Sequence, residues 1–183
     1  AIYSYIILPP GTTVAPAMRA AYEEHRVRIL THIIASATAL LVGPFQFFPV
    51  VRNRRSLHRK LGYIYFASVA IGGAAGFAMA FIAYGGLASR MGFGTLAVLW
   101  LFTAARALLS VKNKDYSAHQ TWAIRCFALT LAAVTLRIYL GLFFAAGFTF
   151  DAFYPALGWL CWVPNLLFVE RVLVRSHTTA QPG

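Results

Sequence analysis

Residues 119–146 read HQTWAIRCFALTLAAVTLRIYLGLFFAA. A helix rises about 1.5 Å per residue, so about 20 apolar residues cross the roughly 30 Å of hydrocarbon in a bilayer. This stretch is long enough, and four others match it. Spanning helices are expected over residues 29–51, 58–84, 92–111, 119–146 and 154–174. The stretches between them, RNRRS, GGLASRM, KNKDYS and GFTFDAF, are short. Loops of that length join antiparallel neighbours. The expected fold is all-α: a polytopic transmembrane bundle of about five spanning helices, built as two antiparallel hairpins plus a C-terminal helix.

Composition points the same way. Of 183 residues 60% are hydrophobic and only 11% charged, against about 25% charged in a soluble domain. The formal charge of +11 would suggest nucleic acid in a soluble protein. Here the basic residues cluster at segment ends, where membrane topology and anionic lipid headgroups account for them. Membrane lipids, and not nucleic acid, are the expected contacts. Cys126 and Cys161 both fall inside apolar segments, and no disulfide framework or zinc spacing is present.

Lys and Arg set the orientation. Arg52, Arg54, Arg55, Arg59, Lys60, Lys112, Lys114, Arg171 and Arg175 fall on one side, and Arg19, Arg26, Arg28 and Arg90 on the other. The positive-inside rule puts the richer side and the C-terminus in the cytoplasm, in a bacterial inner membrane. The chain then divides into a non-cytoplasmic segment 1–28, a helical bundle 29–175 and a cytoplasmic tail 176–183. Residues 11–28 are polar and alanine-rich and are expected to form a short interfacial helix. The opening AIYSYIILPPGTT reads as the end of something longer, so a further upstream helix is expected.

SLHRKLGYIY (56–65) echoes SAHQTWAIRC (117–126): Ser, one residue, His, then a polar residue opening an apolar run. Aligning His58 with His119 places two histidines at equal depth at the cytoplasmic ends of two helices. At 100° per residue, His119, Cys126, Thr130 and Arg137 share one face. So do His58, Gly62, Tyr65, Val69 and Gly76, and so do His32, Ser36, Ala39, Gly43 and Gln46. Such small and polar stripes face a bundle interior. In the plainest reading Ser56 and Ser117 cap their helices, each His sits in a first turn, and the glycines serve packing.

Arg106, Arg125 and Arg137 lie within expected spans, where a charge costs at least about 2.5 kcal/mol. Arg106 and Arg125 can snorkel to the nearby surface. Arg137 lies about 27 Å along the helix from His119, near the level of His32. Glu170 is a partner for Arg125 or Arg106, and Asp151 for Arg137. The excess of cations suggests a non-protein anion or acceptor: a lipid phosphate, a haem propionate, a quinone carbonyl, or only water and backbone carbonyls. Phosphate-binding glycine loops, HExxH, a nucleophile elbow and paired carboxylates are all missing from the sequence.

LHRKLGYIY, TLAVLWLFTAARAL and HQTWAIRCFALTLAAVTLRIYL together resemble a bacterial and fungal family of predicted membrane proteins, domain of unknown function 2306. The pattern falls on His32, His58-Arg59-x-x-Gly62, His119-Gln120-x-Trp122-Ala123-x-Arg125 and Thr135-x-Arg137, over residues 30–145. Gln120 and Ala123 stand where the family pattern has Arg and Met. The resemblance implies a membrane bundle with a further N-terminal helix and brings no established activity.

Three functions follow from these residues. The first is a redox protein binding a b-type haem, or another tetrapyrrole or quinone. His58 and His119 would be its axial ligands, the only metal contact expected, with Arg59 or Arg125 near the propionates and Gly62 making room. His32 and Arg137 form a second polar cluster. The second is a non-catalytic accessory subunit of a larger membrane complex, or a homo-oligomer, holding lipids through its arginines. The third is a small transporter lined by the polar stripes.

Overall fold

The computed structural model describes residues 23–179. The apolar start, most of the expected interfacial helix and the last tail residues lie outside these. Helix α1 (Arg26–Val42) runs into a 3-10 turn, Gly43–Phe47. A short α2 (Pro49–Asn53) leads to α3 (Arg55–Ala80) and α4 (Gly86–Lys112). α5 (Tyr116–Thr130) and α6 (Ala132–Ala145) form one interrupted span, followed by α7 (Phe150–Leu160) and α8 (Val163–Thr179). Five segments are long and apolar enough to cross a membrane: Arg26–Phe47, Arg55–Ala80, Gly86–Lys112, Tyr116–Ala145 and Phe150–Leu173. The fold is an all-α helical bundle.

The boundaries differ from expectation where proline and glycine act. The first span stops at Phe47 rather than Val51. Pro49 forces Phe48 into extended backbone, φ −72° and ψ 131°, and α2 starts afresh. The third span begins at Gly86, six residues early, because Gly85 and Gly86 complete the turn in the left-handed region, at φ 87° and 71°.

The fourth span breaks at Leu131. Thr130 Oγ1 donates back to the Cys126 carbonyl and Thr135 Oγ1 to that of Leu131, a pattern that bends helices. Asn165 Nδ2 donates to the Ala128 carbonyl across the same turn. The fifth span starts at Phe150 and is interrupted at Cys161–Trp162 ahead of Pro164.

The expected serine caps are also corrected. Arg54 precedes α3 and makes no side-chain cap, while Asp115 caps α5 by accepting from the Ala118 amide at 2.9 Å. A carboxylate one residue before the helix meets its unpaired amides directly, and Ser117 is already inside. The echo survives in a firmer form. Both histidines are the fourth residue of their helix, each amide bonding the residue before the helix, His58 to Arg54 and His119 to Asp115.

α1 packs antiparallel on α3, α3 on α4, and α4 on both α5 and α7. The core joins Ala39, Tyr65, Val69, Trp100, Ala104, Cys126, Leu129 and Trp162. Large apolar side chains such as Leu41, Ile71, Phe81, Val98, Ile138 and Phe168 point outward, as expected where lipid is the solvent. α4 and α7 cross at Gly92 and Gly158. A Cβ on Gly92 would stand 2.6 Å from the Gly158 carbonyl, so backbone meets backbone there.

Candidate functional site

The three stripes meet inside the bundle. At the centre, Trp100 Nε1 on α4 donates to Thr130 Oγ1 on α5 at 2.9 Å, and Tyr65 Oη on α3 lies 2.9 Å from the same oxygen. The Thr130 proton goes to the Cys126 carbonyl at 3.0 Å. Tyr65 is therefore the donor to Thr130, and one hydroxyl satisfies two buried ring donors. Tyr65 Oη is also 3.3 Å from Cys126 Sγ. Tyr65 follows His58 by seven residues, and Cys126 follows His119 by seven. Their contact holds the two histidines at the same level, about 10 Å nearer the basic end.

At that end the His119 ring is locked. Its Nδ1 lies 2.8 Å from the Ala107 carbonyl. A carbonyl only accepts, so Nδ1 carries the proton and Nε2 is left with a lone pair. Phe66 packs on the ring, centroids 6.4 Å apart. His58 is half-buried, its Nδ1 is buried without a partner, and His119 is an electrostatic neighbour. One turn along α3, Gly62 faces Gln46, whose Nε2 is likewise buried and unpaired.

The cations divide. Arg125 is committed: its Nε donates to Glu170 Oε1 at 2.6 Å and its Nη2 to Oε2 at 2.8 Å. It lies over the Trp122 ring at 4.6 Å, with Arg106 over the same ring at 5.1 Å. Glu170 therefore chooses Arg125, and Arg106 relies on the ring. Arg59 is exposed, so of the two arginines assigned to an anionic group only Arg59 is uncommitted.

Glu170→Gln should cost about 1–2 kcal/mol in detergent unfolding, since a hydrogen-bonded pair is lost but Glu170 is 37% exposed. The swap Arg125→Glu with Glu170→Arg should recover part of that. Equal stability of wild type and Glu170→Gln would mean the pair contributes nothing.

At the far end, His32 Nδ1 lies 2.8 Å from the Gly72 carbonyl, and a Cβ on Gly76 would fall 2.9 Å from the same nitrogen. The ring thus packs against the glycine face of α3, with Nε2 as the nitrogen not used in that bond. Arg137 and His32 are electrostatic neighbours, as their expected level implied. Arg137 donates to the Ala133 carbonyl at 2.6 Å, and among the described residues no carboxylate pairs with it. Asp151 instead accepts from Tyr84 Oη at 2.5 Å. That bond holds the Tyr84 proton above the ordinary tyrosine range. His32, Ser36 and Arg137 line a cavity of about 810 Å³.

The family model for a predicted membrane protein, DUF2306, matches residues 29–173. The chain belongs to DUF2306. The match runs from α1 through most of α8 and covers His32, His58, His119, Arg59, Arg106, Arg125 and Arg137. No curated protein and no solved structure matches the chain. Its DUF2306 fold is an integral membrane bundle.

Sequence reading placed the histidines, the arginines and the stripe residues Ser36, Tyr65, Cys126 and Thr130. It passed over Trp100 and Asn165. A signal existed for both, because an indole N–H or a carboxamide in the middle of an apolar span needs a partner. Asn165 finds Thr135, with Nδ2 2.9 Å from Oγ1.

Proposed function

We propose that this DUF2306 protein is a membrane redox protein that holds a b-type haem, or a related tetrapyrrole, between His58 and His119. The basic end, on this reading, faces the cytoplasm of a bacterial inner membrane. One observation carries the proposal: two imidazoles from two helices stand at one level, and His119 donates Nδ1 to a backbone carbonyl. Such a bond is the usual companion of a ligating histidine, fixing the ring and raising the basicity of Nε2. Gln46 Nε2, buried without a partner beside Gly62, supports it as a donor still to be paired.

The donor set favours a tetrapyrrole over a bare ion. Among the described residues no three of His, Cys, Asp and Glu converge. Two imidazoles therefore suit a group that brings its own four equatorial nitrogens. Gly62 would leave space along α3, and exposed Arg59 would meet a propionate. Bound haem would supply one-electron chemistry. The protein's part is to hold the ring and exclude water.

Absorption spectra of the protein in detergent, oxidised and dithionite-reduced, test the proposal together with a pyridine haemochrome assay. A Soret band that shifts on reduction is expected. His58→Ala and His119→Ala should each lose it, and His32→Ala should keep it. A Soret band persisting in the His58→Ala, His119→Ala double variant would defeat the assignment.

A further inference from the structure

The far-end cavity is separate from the His58–His119 pair, and the Tyr65–Thr130 centre lies between them. Its volume of about 810 Å³ falls within the roughly 300–1,000 Å³ of small-molecule sites. Most of its wall is aliphatic, including Ile33, Leu40 and Met79, and Trp100 and Thr130 contribute to the lining. Polar side chains interrupt that wall, among them His32, Ser36 and Arg137 beside Tyr84, Thr130 and Tyr154. His32 offers a lone pair at Nε2, because its proton is spent on the Gly72 carbonyl. Ser36 Oγ is buried against Gly72 with no partner, and it reaches a ligand in the cavity by turning about χ1. Arg137 brings a cation with no carboxylate among the described residues. His32, Ser36 and Arg137 all line the same cavity, Arg137 from an exposed position with one guanidinium nitrogen already on the Ala133 carbonyl.

We propose that this cavity binds the head ring of a lipid-soluble quinone or its quinol. A quinone carbonyl accepts from Ser36 and Arg137, and a quinol hydroxyl donates to His32 Nε2. The aliphatic wall takes the ring edge and the start of the tail. A carboxylate or phosphate amphiphile matches less well, because an anionic oxygen would meet the His32 lone pair. A plain hydrocarbon would leave Ser36 Oγ buried and unpaired, at a cost that a carbonyl removes. The proposal does not rest on haem binding.

Trp100, lining the cavity, provides the readout. A decyl-substituted benzoquinone is titrated into the protein in detergent while tryptophan fluorescence is followed. Saturable quenching is expected, and Trp100→Phe should lose most of it. Ser36→Val and Arg137→Gln should each weaken binding about tenfold, the equivalent of one hydrogen bond of about 1.4 kcal/mol. Decylbenzene, which keeps the ring and tail without carbonyls, should compete at least about tenfold more weakly.

Decylbenzene or decanoate competing as well as the quinone would overturn the assignment, and so would unchanged affinity in both variants. If either variant misfolds, Ala133→Leu fills the cavity from α6 without removing a polar side chain, and it should abolish saturable quenching. Persistent saturable quenching in that variant would also overturn it. The same titration on the His58→Ala, His119→Ala double variant keeps a failure here distinct from a failure of the haem reading.

Discussion

Gly92→Ala should destabilise the bundle by about 2–3 kcal/mol, although alanine is the better helix former. Propensity alone favours the substitution by about 1 kcal/mol. Packing opposes it more strongly. The new Cβ would stand 2.6 Å from both the carbonyl carbon and the oxygen of Gly158, and 3.0 Å from its Cα. All three are backbone atoms that no rotamer change can move, so α4 and α7 must separate. Overpacking of this kind costs about 1–3 kcal/mol, and more when backbone is involved. Separation would also strain the Trp159 Nε1 bond to the Ala88 carbonyl, 3.1 Å across the same crossing.

Gly94→Ala, two residues on, is the control. Its Cβ would meet only Ala80 Cβ at 3.7 Å, an ordinary contact, so stability should hold or rise. Denaturant titration of both variants in one detergent decides the matter. Equal stabilities would show that the crossing has room to relax.

Thr130→Val is the second large effect, about 2–4 kcal/mol. Valine keeps the shape and deletes the oxygen on which Trp100 Nε1 and Tyr65 Oη converge. Each buried donor left without a partner costs about 1–3 kcal/mol. Single hydrogen bonds inside membrane proteins average only about 0.6 kcal/mol. That figure describes bonds whose surviving partner finds another acceptor. Here Trp100 Nε1 loses its acceptor outright and Tyr65 Oη keeps only the weak acceptor Cys126 Sγ at 3.3 Å, at a residue only 4% exposed.

Tyr65→Phe should cost less, because Thr130 keeps Trp100. The double variant should cost less than the sum, since removing the tyrosine hydroxyl also removes one of the stranded donors. A Thr130→Val loss below about 0.5 kcal/mol, or additive single effects, would remove Thr130 from the centre of this network.

Much of this was legible in the chain, and the reason is local. Whether a segment crosses a membrane depends on its own length and apolarity. Helical phase alone brings His32, Ser36 and Ala39, or His119, Cys126 and Thr130, to one face. The spacing of seven residues from each histidine to Tyr65 and Cys126 is visible in the two echoing stretches. Caps and breaks were less legible, because they turn on competition between neighbours. Asp115 displaces Ser117 as the cap, and Thr130 and Thr135 bend a span that hydropathy reads as continuous.

The remaining features belong to the tertiary structure. Glu170 had two arginines within reach, and only the docking of α8 on α5 selects Arg125. Asp151 was in place for Arg137 until the loop after α3 brought Tyr84 to it. The lock on His32 requires the Gly72 carbonyl of another helix, and the lock on His119 requires that of Ala107. Backbone carbonyls are the same at every residue, so composition cannot reveal which one a ring will find. The cavity is a space between helices, walled by residues of α1, α3, α4, α5 and α6. Such distances depend on the packing of chain segments far apart in sequence.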